Sequence, residues 1–113
     1  MTRIVFVEGT QGFESFKVSG HSGFGEAGSD IVCAAVSTLT ITCVNALESV
    51  AGVIPRVIER EEPALLEVTL PDEMSSQARH DAQVLMRALH QGLQDLSQAY
   101  PKNVQLQERR KHP

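Results

Sequence analysis

Alternating hydrophobic and polar residues in the first part of the chain predict a β-hairpin. Residues 3–8 form a β-branched and aromatic run, and Phe16 and Val18 alternate with polar residues in the segment 14–20. Gly9-Thr10-Gln11-Gly12 lies between the two segments and supplies a turn. Alternation bounded by glycines in this way is typical of two paired strands.

Two longer segments predict helices. From Ile31 to about Val50 the chain is apolar nearly all round, which predicts a helix that is central and buried rather than on the surface, with Ser29 or Asp30 as its cap. Residues 75–100 carry apolar side chains at i, i+3 and i+4, which predicts an amphipathic helix that Pro101 ends. The predicted apolar stripe of this second helix consists of Ala78, Ala82, Leu85, Met86, Leu89, Leu93, Leu96 and Tyr100.

The remaining segments complete a predicted order of ββαββαβ. A second pair of strands is predicted over residues 55–61 and 64–70, and Val104 and Leu106 mark a short last strand. The predicted fold class is therefore α/β (α+β), with a single mixed β-sheet and two main helices packed against it. At 113 residues the chain fits one domain, 1–113, that is large enough to bury a core.

Composition narrows the classes of function. The net charge of −4 and the scarcity of aromatic residues, with four Phe, one Tyr and no Trp, argue against a nucleic-acid-binding surface. The apolar start of the chain is too short for a signal peptide, and no stretch free of polar residues approaches transmembrane length. We therefore expect a cytoplasmic protein without membrane or direct nucleic-acid contacts. The basic residues Arg109, Arg110 and Lys111 are interpreted as a solvated terminus.

The residues best placed for chemistry lie between positions 20 and 37. Cys33 is predicted in the first turn of a helix, where unpaired N–H groups and the positive end of the helix dipole favour the reactive thiolate. A glycine-rich loop separates it from His21, an imidazole able to act as a base and then as an acid. Asp30, Cys33 and Ser37 share one helix face, and Asp30 either caps the helix or orients His21.

Structural interpretations of the same residues remain open at this point. A cysteine in an apolar helix is usually a small core residue, and Cys43 is interpreted in that way. Cys33 and Cys43 lie ten residues apart on one predicted helix, about 15 Å, which is too far for a disulfide. The histidines His80, His90 and His112 are interpreted as solvent-facing. No spacing of Cys and His matches a zinc site, so neither a metal nor a cofactor is predicted.

The segment from Gly20 to Ser37 carries a family resemblance. Gly20-His21, the glycine-rich loop through Gly28, and Asp30-Ile31-Val32-Cys33-Ala34-Ala35-Val36-Ser37 together resemble the signature of the ribosomal-processing cysteine protease family (Prp). The order of elements is similar too, so the resemblance extends over essentially the whole chain. It implies that Cys33 is the nucleophile and His21 the base, with Gly20, Asp30 and Ser37 at the other motif positions. It also implies that the loop containing Gly23, Gly25 and Gly28 moves to admit substrate.

The resemblance implies a specific activity. Members of that family are bacterial homodimers that remove a short N-terminal extension from a basic protein of the large ribosomal subunit, cutting after a phenylalanine. The expected partner is therefore a large-subunit ribosomal protein with a cleavable extension.

Two alternatives come from other classes of function. One is a noncatalytic, ribosome-associated assembly factor that binds the same basic protein, suggested by the small size and the acidic balance. The other is a thiol redox sensor built on Cys33, which is disfavoured because no resolving cysteine lies within reach on the helix.

Overall fold

The computed structural model describes residues 1–20 and 29–111, and for Ser29 and Asp30 it describes the helical backbone alone. The elements follow one another as β1 (Thr2–Gly9), β2 (Gly12–Ser19), α1 (Ser29–Ser49), β3 (Arg56–Arg60), β4 (Leu65–Thr69), α2 (Ser76–Ala99) and β5 (Val104–Arg110). The predicted order ββαββαβ is thus confirmed.

The five strands form one mixed sheet in the order β3-β4-β2-β1-β5. The β1–β2, β2–β4 and β3–β4 pairs are antiparallel, whereas β5 runs parallel to β1. Cross-strand register places Phe6, Phe16 and Val68 in one row, and all three are fully buried together with residues of both helices. Both helices therefore pack on one face of the sheet, and the predicted fold class is confirmed.

Helix α1 was predicted to be central and buried rather than on the surface, but it is buried along one stripe only. Its buried positions are Val32, Val36, Thr40, Cys43 and Leu47, which recur every three or four residues. Ile31 and Ile41, on the other faces, are 68% and 56% exposed. The prediction is wrong because the sheet and α2 cover only one side of the helix in this two-layer arrangement.

The apolar character of α1 also bears on membrane association. The segment Ile31–Ser49, with a mean hydropathy of 1.6, is long and apolar enough to span a bilayer by length and composition. The expectation concerned a stretch free of polar residues, and this segment is not one, because it contains Ser37, Asn45 and Glu48. A core helix of a globular protein passes the same test, and the buried stripe of α1 is packed into the core that the sheet and α2 share. We therefore interpret α1 as a core helix.

Helix α2 matches its predicted boundaries and orientation. The Ser75 hydroxyl accepts a hydrogen bond from the Ala78 N–H at 3.1 Å and caps the first turn. At the other end, the Tyr100 N–H donates to the Leu96 carbonyl at 2.8 Å, and Pro101 follows. The buried positions are Ala82, Met86, Leu89 and Leu93, all within the predicted stripe. Tyr100, which was also assigned to that stripe, is 41% exposed because it lies beyond the last helical residue.

The basic residues near the end of the chain are exposed to solvent as predicted, but Arg109 and Arg110 belong to strand β5, so their interpretation as a free terminus is wrong. Strand β5 continues to Arg110 because it pairs with β1 along its whole length. The Arg110 guanidinium donates to the Glu8 carboxylate at 2.9 Å, and the Lys111 ammonium lies 3.2 Å from the Glu14 carboxylate. The Lys111 N–H also donates to the Glu8 carbonyl at 2.8 Å, which extends the pairing.

The three histidines outside the motif differ in environment. His80 is exposed as predicted, and His112 lies outside the described residues. His90 is not solvent-facing, because its ring stacks on Phe13 with centroids 5.2 Å apart and meets the edge of Phe6 at 5.0 Å. Its Nε2 lies 2.5 Å from the Glu108 carboxylate. The prediction for His90 is wrong because the β1–β2 hairpin and β5 converge on this face of α2.

Candidate active site

A cleft of about 430 Å³ opens between α1 and the part of the sheet formed by β2, β4 and β3. Helix α2 packs against β5 and β2, and the lining of the cleft places α1 opposite the β3–β4 hairpin. Most of the lining is apolar and includes Val18, Val36, Ile41, Val44, Val57 and Leu66. The cleft is therefore suited to an apolar ligand segment with polar groups at defined positions.

The cleft brings together three of the residues that the sequence motif singled out. Cys33, Ser37 and Gly20 all line it, the first two from α1 and the third from the end of β2. Cys33 is partly exposed, and Ser37 lies one helical turn beyond it on the same side. Val32 and Val36 face the core, and the residues that follow them, Cys33 and Ser37, are turned toward the cleft.

The start of α1 fixes where Cys33 lies relative to the helix end. The helix begins at Ser29, so Cys33 is its fifth residue and lies at the start of the second turn, slightly deeper than predicted. The backbone of Asp30 lies in the first turn. N–H groups without an intrahelical partner belong to this first turn, so they lie just ahead of the cysteine along the helix.

Gly20 occupies a position that only glycine fits. Its φ is +82°, in the left-handed region that other residues rarely adopt. A Cβ atom built on it would lie 2.5 Å from the Met1 carbonyl oxygen, closer than any real contact. The Gly20 N–H donates to the Ala64 carbonyl at 3.3 Å, which ties the end of β2 to the β3–β4 hairpin. The conformation of this glycine therefore sets the direction of the backbone at the end of β2.

Several predicted site residues fall in the segment that the structure does not describe. His21 and the loop glycines Gly23, Gly25 and Gly28 lie outside the described residues, and so does the side chain of Asp30. Their roles as base, gating loop, and cap or orienting group stay predictions.

Thr40 is a polar residue of the cleft wall that the sequence did not single out. Its side chain is almost completely buried, and its hydroxyl donates to the carbonyls of Val36 at 2.9 Å and Ser37 at 3.1 Å. This local bonding allows a hydroxyl to lie in an apolar stripe without an unsatisfied donor. It also engages the carbonyl of Ser37 and so links that residue to the buried side of α1.

The two cysteines of α1 have different environments. Cys43 is buried, its Sγ lies 3.8 Å from the Leu85 carbonyl oxygen, and burial raises the pKa of its thiol to about 11. A thiol with a raised pKa is a poor nucleophile at neutral pH, so the interpretation of Cys43 as a core residue fits its surroundings. Cys33, in contrast, is partly exposed at the cleft.

The second wall of the cleft was missed at the level of sequence. Val57 and Glu59 of β3 and Leu66 of β4 line it opposite α1. The alternation in Arg-Val-Ile-Glu-Arg indicates that Val57 and Glu59 share a face. Only the order of strands in the sheet reveals that this face meets the helix carrying Cys33. Within the described ranges, no three residues among His, Cys, Asp and Glu are grouped so that they could hold a metal ion.

Comparison with known proteins shows a family match over nearly the whole chain. The model of the family "Cysteine protease Prp" matches residues 1–105. The ribosomal processing cysteine protease Prp of Bacillus subtilis is 30% identical over 96 residues, which cover 85% of this chain and 86% of that protein.

Solved structures agree with this fold. SMU.848 of Streptococcus mutans superimposes with a TM-score of 0.88 at 31% identity, covering 98% of this chain and 96% of that one. The ribosomal processing protease Prp of S. aureus, bound to a substrate peptide, superimposes with a TM-score of 0.84 at 22% identity, covering 96% and 100%. With a family match that spans residues 1–105 and a relative that covers most of its length, this chain is a cysteine protease and belongs to the Prp family.

Proposed function

We propose that this protein is an endopeptidase that removes the short N-terminal extension of a large-subunit ribosomal protein. The observation that carries the proposal is that Cys33, Ser37 and Gly20 line one cleft in a chain of the Prp family. The name of the B. subtilis relative, a ribosomal processing cysteine protease, supports the class of substrate. The largely apolar lining supports a substrate with an apolar side chain near the cleaved bond.

In the proposed mechanism Cys33 is the nucleophile and His21 the base and acid. His21 takes the thiol proton, and the Cys33 sulfur forms a bond to the carbonyl carbon of the peptide. When the tetrahedral intermediate collapses, the C–N bond breaks and the His21 imidazolium gives its proton to the departing amine. His21 then takes a proton from water, whose oxygen attacks the thioester. The C–S bond breaks, the carboxylic product leaves, and the thiol is restored.

Two further parts of the proposal concern the first turn of α1 and Asp30. The N–H groups of that turn that lack an intrahelical partner are the donors we assign to the oxyanion of the tetrahedral intermediate. Asp30, whose backbone belongs to the same turn, either caps the helix or orients His21. Ser37 lies one turn beyond Cys33 and faces the same cleft, where its hydroxyl can bond substrate.

The proposal includes a cytoplasmic homodimer. A ribosomal substrate places the enzyme where ribosomes assemble. The homodimer is proposed from the family resemblance alone, because the exposed apolar residues Ile31 and Val50 lie at opposite ends of α1 and do not form one patch. Sedimentation equilibrium tests this part, and a mass of one chain at micromolar concentration would contradict it.

The test of the activity is a cleavage assay with matched cysteine variants. Purified protein is mixed with a peptide that spans the extension and the start of the host's large-subunit ribosomal protein, and products are read by mass spectrometry. We expect a single cut in the wild type, and none in Cys33→Ala or His21→Ala. Cys43→Ala, which removes the other thiol of the same helix, is expected to keep the cut. Cleavage by folded Cys33→Ala would refute the mechanism.

The same assay separates the proposal from the two alternatives. A noncatalytic assembly factor would bind the peptide in wild type and Cys33→Ala alike and cut it in neither. A redox sensor would form a stable sulfenic acid at Cys33 without any peptidase activity. Membership of a cysteine protease family disfavours both.

A further inference from the structure

Glu59 is an acidic residue on an apolar wall of the cleft. Cross-strand register places it in one row with Leu66 of β4, Val18 of β2 and Ile4 of β1. Ile4 is fully buried beneath the helices, so the whole row lies on the helix-facing side of the sheet. Glu59 ends this row at the edge strand β3, where it lines the cleft opposite α1.

The neighbouring residues of β3 do not neutralise this position. Side chains alternate between the two faces of a strand, so Arg56 and Ile58 project to the open side of the sheet. Val57 shares the helix-facing side with Glu59 and is apolar. Arg60 also lines the cleft at the strand end, but it pairs in register with Leu65, outside the row of Glu59, and no ion pair joins it to Glu59 among the described residues. Glu59 is thus the acidic residue that β3 presents to α1.

The carboxylate of Glu59 has no partner within residues 1–20 and 29–111, whereas those of Glu8, Glu14 and Glu108 are all paired with basic groups or a histidine. An apolar segment bound in the cleft would remove water from this carboxylate without providing a hydrogen-bond donor in its place, so binding would carry a desolvation cost. A cationic side chain in the bound segment would instead provide both charge and hydrogen-bond donors. The chemistry of this wall therefore favours a substrate with a basic residue at this point.

The register also gives the distance of Glu59 from the Gly20 end of the cleft. Val18 lies two residues before Gly20, and Glu59 lies two strands across the sheet from Val18. With about 3.4 Å per residue and about 4.8 Å between strands, Glu59 is roughly 12 Å from Gly20. With the cleaved bond taken to lie at the Gly20 end, because Gly20 and Cys33 line the same cleft, an extended peptide covers this distance in three to four residues.

We propose that Glu59 is a specificity-determining residue that selects lysine or arginine three or four residues from the cleaved bond. The inference rests on the proposed function, since it assumes that the cleft holds the peptide that Cys33 cuts. Recognition of a basic residue by Glu59 is a requirement that the apolar lining does not impose. It makes the substrate preference of the enzyme depend on charge and on ionic strength.

The test profiles cleavage sites without assuming a natural substrate. A proteome-derived peptide library, prepared by digestion after glutamate so that internal lysine and arginine remain, is treated with wild type, Glu59→Gln and Glu59→Lys. The matched control is Glu67→Gln, which makes the same change in the same hairpin on the open face, opposite Lys17. Cleaved peptides are sequenced by mass spectrometry. For one cleaved sequence, kcat/KM is then compared between versions with lysine and with norleucine at the selected position.

We expect wild type and Glu67→Gln to enrich basic residues three or four positions from the cut, with kcat/KM about two- to fivefold higher for lysine than for norleucine. Glu59→Gln should remove this preference, and Glu59→Lys should reverse it. Cleavage without any basic enrichment, enrichment at a different position, or enrichment retained in Glu59→Gln would each overturn the assignment while leaving the protease activity intact. Absence of any cleavage by the wild type would refute the proposed function, and this inference with it.

Discussion

Gln83 fastens the first hairpin to helix α2 through two hydrogen bonds to a single residue. Its Oε1 accepts from the Phe13 N–H at 2.9 Å, and its Nε2 donates to the Phe13 carbonyl at 2.7 Å. The amide thereby pairs with the backbone of β2 as a neighbouring strand would. Gly12 leaves the space for this contact, since a Cβ atom there would lie 2.3 Å from the Gln83 Oε1. We therefore predict that Gln83→Ala destabilises the protein without affecting the cleft.

The expected magnitude follows from these two bonds. Each contributes about 0.5–1.5 kcal/mol net, and truncation leaves the partly buried N–H and carbonyl of Phe13 without their partner. The free energy of unfolding should fall by about 2 kcal/mol. For a chain of this size that corresponds to a decrease in Tm of roughly 10 °C. Urea unfolding followed by circular dichroism measures the first quantity, and a thermal scan measures the second.

Two companion variants test the reasoning behind that magnitude. Gln83→Glu keeps the shape and the acceptor but loses the donor to the Phe13 carbonyl, so it should still be destabilised. Gln98→Ala removes an exposed glutamine from the same helix and should change stability by less than about 0.5 kcal/mol. If Gln83→Ala is no less stable than Gln98→Ala, the two hydrogen bonds between Gln83 and Phe13 do not stabilise the fold and the argument is wrong.

Two further predictions concern Gly20 and Cys43. Gly20→Ala should lower the free energy of unfolding by more than the roughly 1–2 kcal/mol that a positive φ alone costs, and should also lower kcat/KM. Gly52→Ala is its control, because Gly52 has φ +67° with nothing near its Cβ position, and equal losses in urea unfolding would refute the clash with Met1. For Cys43, burial raises the thiol pKa from 9.0 to about 11, so the folded state keeps a proton that the unfolded state loses. Stability should therefore be fully present below pH 9 and fall by roughly 3 kcal/mol as the pH rises to 11, whereas Cys43→Ala should lack this component; identical pH profiles would contradict it.

The fold was predictable because its main signals are local. The alternation of Phe16 and Val18 and the i, i+4 recurrence of Ala82 and Met86 are each contained in a few residues. The elements formed where their patterns indicated, except that β5 continues beyond its predicted short span to Arg110. The burial of α1 was predicted wrongly because apolar composition does not say how many neighbours a helix will have. Ile41 is as apolar as any core residue, yet no element of the described chain covers it.

Only the part of the candidate site that lies on α1 was predictable from the sequence. Cys33 and Ser37 lie on one helix face, so their spacing was enough to bring them together at the cleft. Glu59 reaches the same cleft through strand pairing, which a single sequence does not reveal. The environment of His90 depends on contacts with Phe13 and Glu108 from two other elements, and no feature near position 90 indicates them.

The parallel pairing of β1 with β5 affects how the protein folds as it is synthesised. Thr2 pairs with Val104, so one side of β1 stays unpaired until residues about 100 positions later have been synthesised. Until then β1 is an edge strand with a row of unsatisfied backbone groups, the kind of surface on which chains associate wrongly. The cleft itself draws its lining from residues up to Leu66 and none from β5. Every residue that lines the cleft is therefore synthesised before the strand that closes the sheet.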